Sequence, residues 1–135
     1  MIKAILACDS SGGVSKDGTM PWPKNSKDLK WFKSNTTQNV VVMGSTTWDD
    51  PFMPGPLPKR VNVLVTTREK DYPGAHKYIQ GELAKKIQAV DEENKNKVTW
   101  IIGGPNIINQ TLEIIDEFYL SRIPGNYNCD TFLPL

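Results

Sequence analysis

The residues whose types and spacing suit chemistry begin with Asp28. In Ser26-Lys27-Asp28-Leu29-Lys30-Trp31-Phe32-Lys33, Asp28, Trp31 and Phe32 stand at i, i+3 and i+4. In a helix they share one face, while Lys27, Lys30 and Lys33 lie largely on the other. A carboxylate on an apolar face is costly unless it is paired or protonated. Such a poised acid suits a flat heterocycle with adjacent donors. The alternative is an aspartate that only complements the helix dipole.

Three other stretches run from an apolar strand into ligand-binding chemistry. Val40-Val41-Val42-Met43-Gly44-Ser45-Thr46-Thr47 passes from strand to glycine to hydroxyls, and Trp100-Ile101-Ile102-Gly103-Gly104-Pro105-Asn106 passes from strand to a glycine pair and a helix start. Both offer backbone N–H groups at a helix start, which favours anions. Neither is a GxGxxG or GxxxxGK[ST] motif, and a glycine used only for a tight turn is the alternative. The same construction on two crossovers favours a phosphate-bearing ligand such as a dinucleotide. Val61-Asn62-Val63-Leu64-Val65-Thr66-Thr67-Arg68 ends in two hydroxyls and a guanidinium, whose planar fork suits a phosphate monoester. A solvated arginine is the alternative there. The single histidine, His76, reads as structural or solvated at a strand start, and no metal site is expected. Cys8 and Cys129 make no disulfide framework and are expected to be free thiols in a reducing compartment.

The elements that must position these groups alternate. Strands are predicted over Ile2–Cys8, Asn39–Met43, Arg60–Thr67, Ala75–Ile79, Val98–Ile102 and Glu117–Ile123. Their nearly continuous apolar character fits a sheet covered on both faces. Helices are predicted over Ser26–Thr36, with Ser26 as a candidate N-cap, over Gly81–Val90, and over Pro105–Ile115. This order implies a largely parallel sheet with ligands at the carboxyl ends of its strands. The prolines at 51, 54, 56 and 58 make a stiff surface loop.

At 135 residues the chain is one domain, 1–135, long enough to bury a core. Sixteen basic against fifteen acidic side chains leave a net charge of +1, which argues against a nucleic-acid partner. No apolar run approaches a membrane span, and the first residues read as a strand and not as a signal peptide. The chain is therefore expected in the cytoplasm.

Together, several motifs resemble dihydrofolate reductase, from Met1 to about Pro134. They are Thr19-Met20-Pro21-Trp22, Asp28-Leu29-Lys30-Trp31-Phe32-Lys33 with Asn35-Thr36, and Val41-Val42-Met43-Gly44-Ser45-Thr46-Thr47-Trp48. Then come Pro56-Leu57-Pro58-Lys59-Arg60-Val61-Asn62, Thr66-Thr67-Arg68, Ile102-Gly103-Gly104 and Cys129-Asp130-Thr131-Phe132-Leu133-Pro134. The resemblance implies a single-domain, three-layer α/β fold, its mostly parallel central sheet carrying helices on both faces. It implies reduction of 7,8-dihydrofolate to tetrahydrofolate with NADPH. Asp28 would bind the pterin and promote N5 protonation, Ser121 would support that carboxylate, and Trp22 would close the site and hold an ordered water. Ile5, Ala7, Phe32 and Leu57 would sandwich the substrate rings, and Arg60 would clamp its glutamate carboxylate. The cofactor would lie along Ala7, Val14, Gly44, Ser45, Thr46, Thr47, Thr66, Thr67, Arg68, Gly103, Gly104 and Thr131, with Thr67 and Arg68 on the 2′-phosphate. A cis peptide is implied at Gly103–Gly104, and a mobile lid at Ser10–Met20.

The chain departs from that pattern in places. Ser15 replaces a usual glycine, Ser45 a frequent basic residue and Ile108 a common tyrosine. The loop Asp49–Gly55 looks slightly long, so either Phe52 or Met53 lines the pocket. The family's last two strands, which follow the position of Pro134, are lacking from the expected sheet. That leaves Glu117–Ile123 as an edge, through which either a homodimer or pairing with another partner is expected. Two other readings share these residues: a binding or structural protein that keeps the fold, and a pyrimidine reductase of riboflavin synthesis. The latter would not need Asp28 and Phe32 with the Arg60 clamp.

Overall fold

The computed structural model describes residues 1–17, 20–23, 26–49, 55–67 and 72–132. Its elements run β1 (Ile2–Cys8), β2 (Gly13–Ser15), α1 (Ser26–Thr36), β3 (Val40–Gly44), α2 (Ser45–Trp48) and β4 (Val61–Val65). There follow β5 (Lys77–Ile79), α3 (Leu83–Glu93), β6 (Thr99–Gly103), α4 (Pro105–Gln110), a 3-10 turn at Leu112–Ile114, β7 (Glu117–Arg122) and β8 (Thr131–Phe132).

Six strands form one sheet in the order β5-β4-β3-β6-β1-β7. Every pairing in it is parallel. β2 and β8 make a separate antiparallel pair. The chain lays β3, β4 and β5 outward on one side, then returns β6 into the space between β3 and β1. That reversal of direction is where an open parallel sheet leaves a crevice at its carboxyl edge.

The two-residue side-chain period of the strands explains why β3 and β6 are buried throughout. Val40 and Val42 pack with Val63 and Ile101 against Ile87 and Val90 of α3 and Ile107 and Ile108 of α4. Val41 and Met43 point the other way, with Leu64, Trp100 and Ile102, onto Phe32 of α1 and Trp48 of α2. The architecture is thus three layers, as expected.

Helix α1 covers the predicted residues, but Ser26 is already helical, so any cap precedes it and lies outside the described residues. Helix α3 starts two residues late because Gly81 and Glu82 both take positive φ. The helix predicted to continue to Ile115 stops at Gln110. Thr111 leaves helical φ/ψ and donates its buried hydroxyl back to the Ile107 carbonyl (2.8 Å), after which the chain makes its 3-10 turn. The strands β2 and β8 are too short to show any period and were not anticipated, whereas α2 is the helix start expected after Gly44. His76 is exposed, and its Nδ1 accepts the Asn62 N–H (2.9 Å), a structural role. Among the described residues, no helix is long and apolar enough to cross a membrane.

Candidate active site

A cleft of about 720 Å³ runs along the carboxyl edge of the sheet. Its course follows the strand order. It begins between β1 and α1, crosses the ends of β6 and β3, and finishes beyond β4 and β5.

At the first end, β1 contributes Ile5 and Ala7, and α1 contributes Asp28, Leu29, Trp31 and Phe32. The helical spacing therefore does bring the carboxylate and both rings to one surface. Asp28 lies in the first turn of α1 and is half-buried, with Oδ1 shielded from solvent. Val14 and Ser15 of β2 and Thr131 of β8 close this end from the side.

The middle of the cleft is built from backbone. Gly44 and Gly104 are the N-caps of α2 and α4, and neither helix start has a side-chain cap. At α4 Pro105 carries no N–H and the Ile107 N–H donates to the Gly104 carbonyl (3.1 Å), so Asn106 is the residue of that first turn whose N–H faces no carbonyl of the preceding turn. Gly103 has φ +136° and its peptide to Gly104 is cis, as the resemblance implied. A Cβ on Gly44 would lie 2.7 Å from Ile107 Cδ1, so a side chain there would require the Ile107 terminus to move. Ser45, Thr46 and Thr47 add hydroxyls.

At the far end lie Thr66 and Thr67, after β4, and Gln80, Gly81, Glu82 and Leu83, after β5. Arg68, expected here, lies outside the described residues, as do Phe52 and Met53. Among the described residues, no lysine, arginine or histidine lines the cleft; its charged groups are Asp28 and Glu82.

Four expected residues touch the cleft only at one remove. Trp22 is buried against Ala7 and Ile123 and meets Tyr127 edge-on at 5.9 Å. It therefore backs the cleft wall instead of lining it. Ser121 pairs with Ala7 across the β1–β7 ladder, one strand away from the cleft. Leu57 and Arg60 belong to a second, open groove of about 660 Å³, with Asn62, His76 and Lys97. Arg60 still reaches toward the first site: its guanidinium carbon lies 5.9 Å from the Phe32 ring centroid. Its Nε donates to Thr36 Oγ1 (2.9 Å) and its Nη1 to the Pro58 carbonyl (3.2 Å). Burial lowers its pKa, a direction that leaves an arginine charged throughout the physiological range.

Three positioning residues had little voice in sequence reasoning. Asn62 is the one polar residue in a valine-rich run. Its Oδ1 accepts the Leu57 N–H (2.9 Å), and its Nδ2 donates to the carbonyls of Leu57 (2.9 Å) and Arg60 (3.1 Å). Buried Thr36 donates to the Phe32 carbonyl and accepts from Arg60, tying the guanidinium to α1. Asp9 has no exposed surface. Its Oδ1 accepts the N–H groups of Ser11 and Gly13 (both 2.9 Å), and its Oδ2 accepts the Tyr127 N–H (3.0 Å) and the Cys129 S–H (3.5 Å). The Tyr127 N–H foremost, then those of Gly13 and Ser11, hold its carboxyl below the usual carboxylate range. The segment expected as a lid is thereby tied to the loop before β8. Asp130 repeats the tie: its N–H donates to the Ser15 carbonyl and its Oδ2 accepts the Asp17 N–H.

Fold and cleft define a class: an α/β protein that holds its ligands across the carboxyl ends of a parallel sheet, with one acid on an aromatic helix at the end of the site. Comparison with known proteins narrows it. The family model described as dihydrofolate reductase matches residues 1–135. The viral dihydrofolate reductase of Saimiriine herpesvirus 2 is 32% identical over 99% of this chain and 68% of its own length. The Gallus gallus dihydrofolate reductase is 33% identical over 98% of this chain and 77% of its own. A solved Enterococcus faecalis dihydrofolate reductase, complexed with NADP(H) and RAB-propyl, superposes with a TM-score of 0.81 at 28% identity. It covers all of this chain and 77% of that one. The chain belongs to the dihydrofolate reductase family.

Proposed function

We propose that this protein reduces 7,8-dihydrofolate to 5,6,7,8-tetrahydrofolate, with NADPH as the hydride donor. The observation that carries the reading is Asp28: a half-buried carboxylate flanked by Trp31 and Phe32 in the same cleft as the two glycine-capped helix starts. NADPH supplies the hydride. The cleft fits it through the backbone N–H groups of the first turns after Gly44 and Gly104, those of Ser45, Thr46 and Asn106, and the hydroxyls of Ser45, Thr46 and Thr47, where phosphates would sit. Ala7, Val14, Gly103 and Thr131 would hold the nicotinamide side, and Thr66, Thr67 and Arg68 the adenosine side.

Asp28 orients the pterin by accepting from its amino group and ring nitrogen, and promotes protonation of N5 as hydride reaches C6. Ile5, Ala7 and Phe32 stack the rings and exclude water. Leu57 and Arg60 take the substrate's tail in the outer groove, Arg60 pairing with a carboxylate. Trp22 and Ser121 support Ala7, and through it the wall of the site. The chemistry suits the cytoplasm, and both thiols are free. β7 forms one edge of the sheet, and we propose that a second copy pairs along it. Light scattering at micromolar concentration should give a dimer mass, and a monomer mass would count against that pairing.

Incubation with NADPH and dihydrofolate should yield tetrahydrofolate, one cofactor consumed per product. Binding of both ligands without turnover would favour the binding-protein reading instead.

A further inference from the structure

Glu82 stands at the far end of the cleft in an unusual posture. It is the N-cap of α3, with φ 47° and ψ 49°, yet its side chain makes no capping hydrogen bond. Left-handed backbone is disfavoured for a residue with a Cβ, and is relieved mainly where a short polar side chain bonds locally. Glutamate gains no such relief here. It is exposed at the rim of the cleft, and its carboxylate makes no hydrogen bond or ion pair among the described residues. The neighbouring cation, Lys86, is turned onto the Gln80 carbonyl.

With a dinucleotide in the cleft, the sheet order sets which part of it comes nearest Glu82. A dinucleotide laid along the carboxyl edge with its reducing ring near Asp28 crosses β6 and β3 with its phosphates. Its adenosine then reaches β4 and β5, where Thr66, Thr67 and Glu82 stand. A carboxylate there accepts hydrogen bonds from ribose hydroxyls, as acidic residues do in other dinucleotide sites. The same carboxylate repels a 2′-phosphate.

We infer that Glu82 is a specificity-determining residue at the adenosine end: it favours a free ribose 2′-hydroxyl, weakens the hold on a 2′-phosphate, and so lets NADH serve beside NADPH. This rests on the proposed reading of the cleft as a dinucleotide site. A carboxylate and a doubly charged phosphate about 6 Å apart in water-like dielectric repel enough to change affinity about tenfold.

Calorimetric titration with NADP⁺, NAD⁺, 2′,5′-ADP and 5′-AMP tests it without turnover. Replacing Glu82 with glutamine (Glu82→Gln) should tighten NADP⁺ and 2′,5′-ADP about tenfold at low salt, an advantage that shrinks as salt rises. NAD⁺ and 5′-AMP should bind no more tightly than before. Glu82→Gly, which suits the left-handed backbone, should act in the same direction. Unchanged ratios between the phosphorylated and plain ligands in both variants would overturn the inference alone. A native protein that binds neither dinucleotide would overturn it together with the reading beneath it.

Discussion

Asn62→Ala removes one buried side chain and three hydrogen bonds that shape the wall of the outer groove. The Leu57 N–H, the Leu57 carbonyl and the Arg60 carbonyl lose partners at 2.9, 2.9 and 3.1 Å. Each such bond contributes about 0.5–1.5 kcal/mol net, and the two groups on buried Leu57 have no water to replace them, so the loss should total about 2–4 kcal/mol. For a domain of this length that corresponds to roughly 8–16 °C in Tm. Urea titration should show a lower midpoint with an unchanged m-value. Asn62→Asp is the control: it keeps an acceptor for the Leu57 N–H but sets a second oxygen against two carbonyls, and should recover none of the loss at neutral pH. The same loop carries Leu57 and Arg60, so KM for dihydrofolate should rise about tenfold with kcat nearly unchanged, as expected when one charged hydrogen bond to a remote substrate group is lost. A stability loss under about 0.5 kcal/mol, with KM unmoved, would refute the claim that Asn62 builds the tail site.

Asp9→Asn should lower Tm at neutral pH. The folded carboxyl is held below its ordinary value, so its contribution is full above the unfolded pKa, about 3.9, and fades as pH falls through the folded one. Native and variant melting curves should therefore converge in acid, and a gap that stays constant down to the lowest pH would contradict this. Gly13→Ala would put a Cβ 2.3 Å from Cys129 Cβ and 2.7 Å from its Sγ, and should cost about 1–3 kcal/mol. In a Cys129→Gly background much of that cost should vanish, which a double-mutant cycle by chemical denaturation measures directly. Cys8 is buried, and burial raises its thiol pKa, so a disulfide reagent should modify it in urea and hardly at all in the native protein.

Much of this was legible in the residues. The valine run before Gly44 and the isoleucines before Gly103 marked central strands, because both faces of a covered sheet demand apolar side chains. The i, i+3, i+4 spacing placed Asp28 with Trp31 and Phe32, since α1 has no residue that breaks helical phase. Legibility ended where long-range partners decide the outcome. Asp9 is followed by Ser10-Ser11-Gly12-Gly13, which reads as a turn; only the fold brings Tyr127 and Cys129 to its other oxygen. Glu82 reads as the start of a helix, and its backbone conformation is set by the β5–α3 connection. Position in the chain places Trp22 and Ser121 near Ala7 but does not fix their distance from the cleft: Ser121 shares a sheet face with Ala7 one strand further out, and Trp22 packs against Ala7 and Ile123.

The central claim is that Asp28 promotes the protonation that accompanies hydride transfer. It is tested most directly by comparing the native protein with Asp28→Asn, following NADPH consumption with dihydrofolate while NADPH affinity is titrated separately. The account predicts that turnover at neutral pH falls by about 100-fold or more while NADPH affinity holds. Turnover in Asp28→Asn equal to that of the native protein would contradict it.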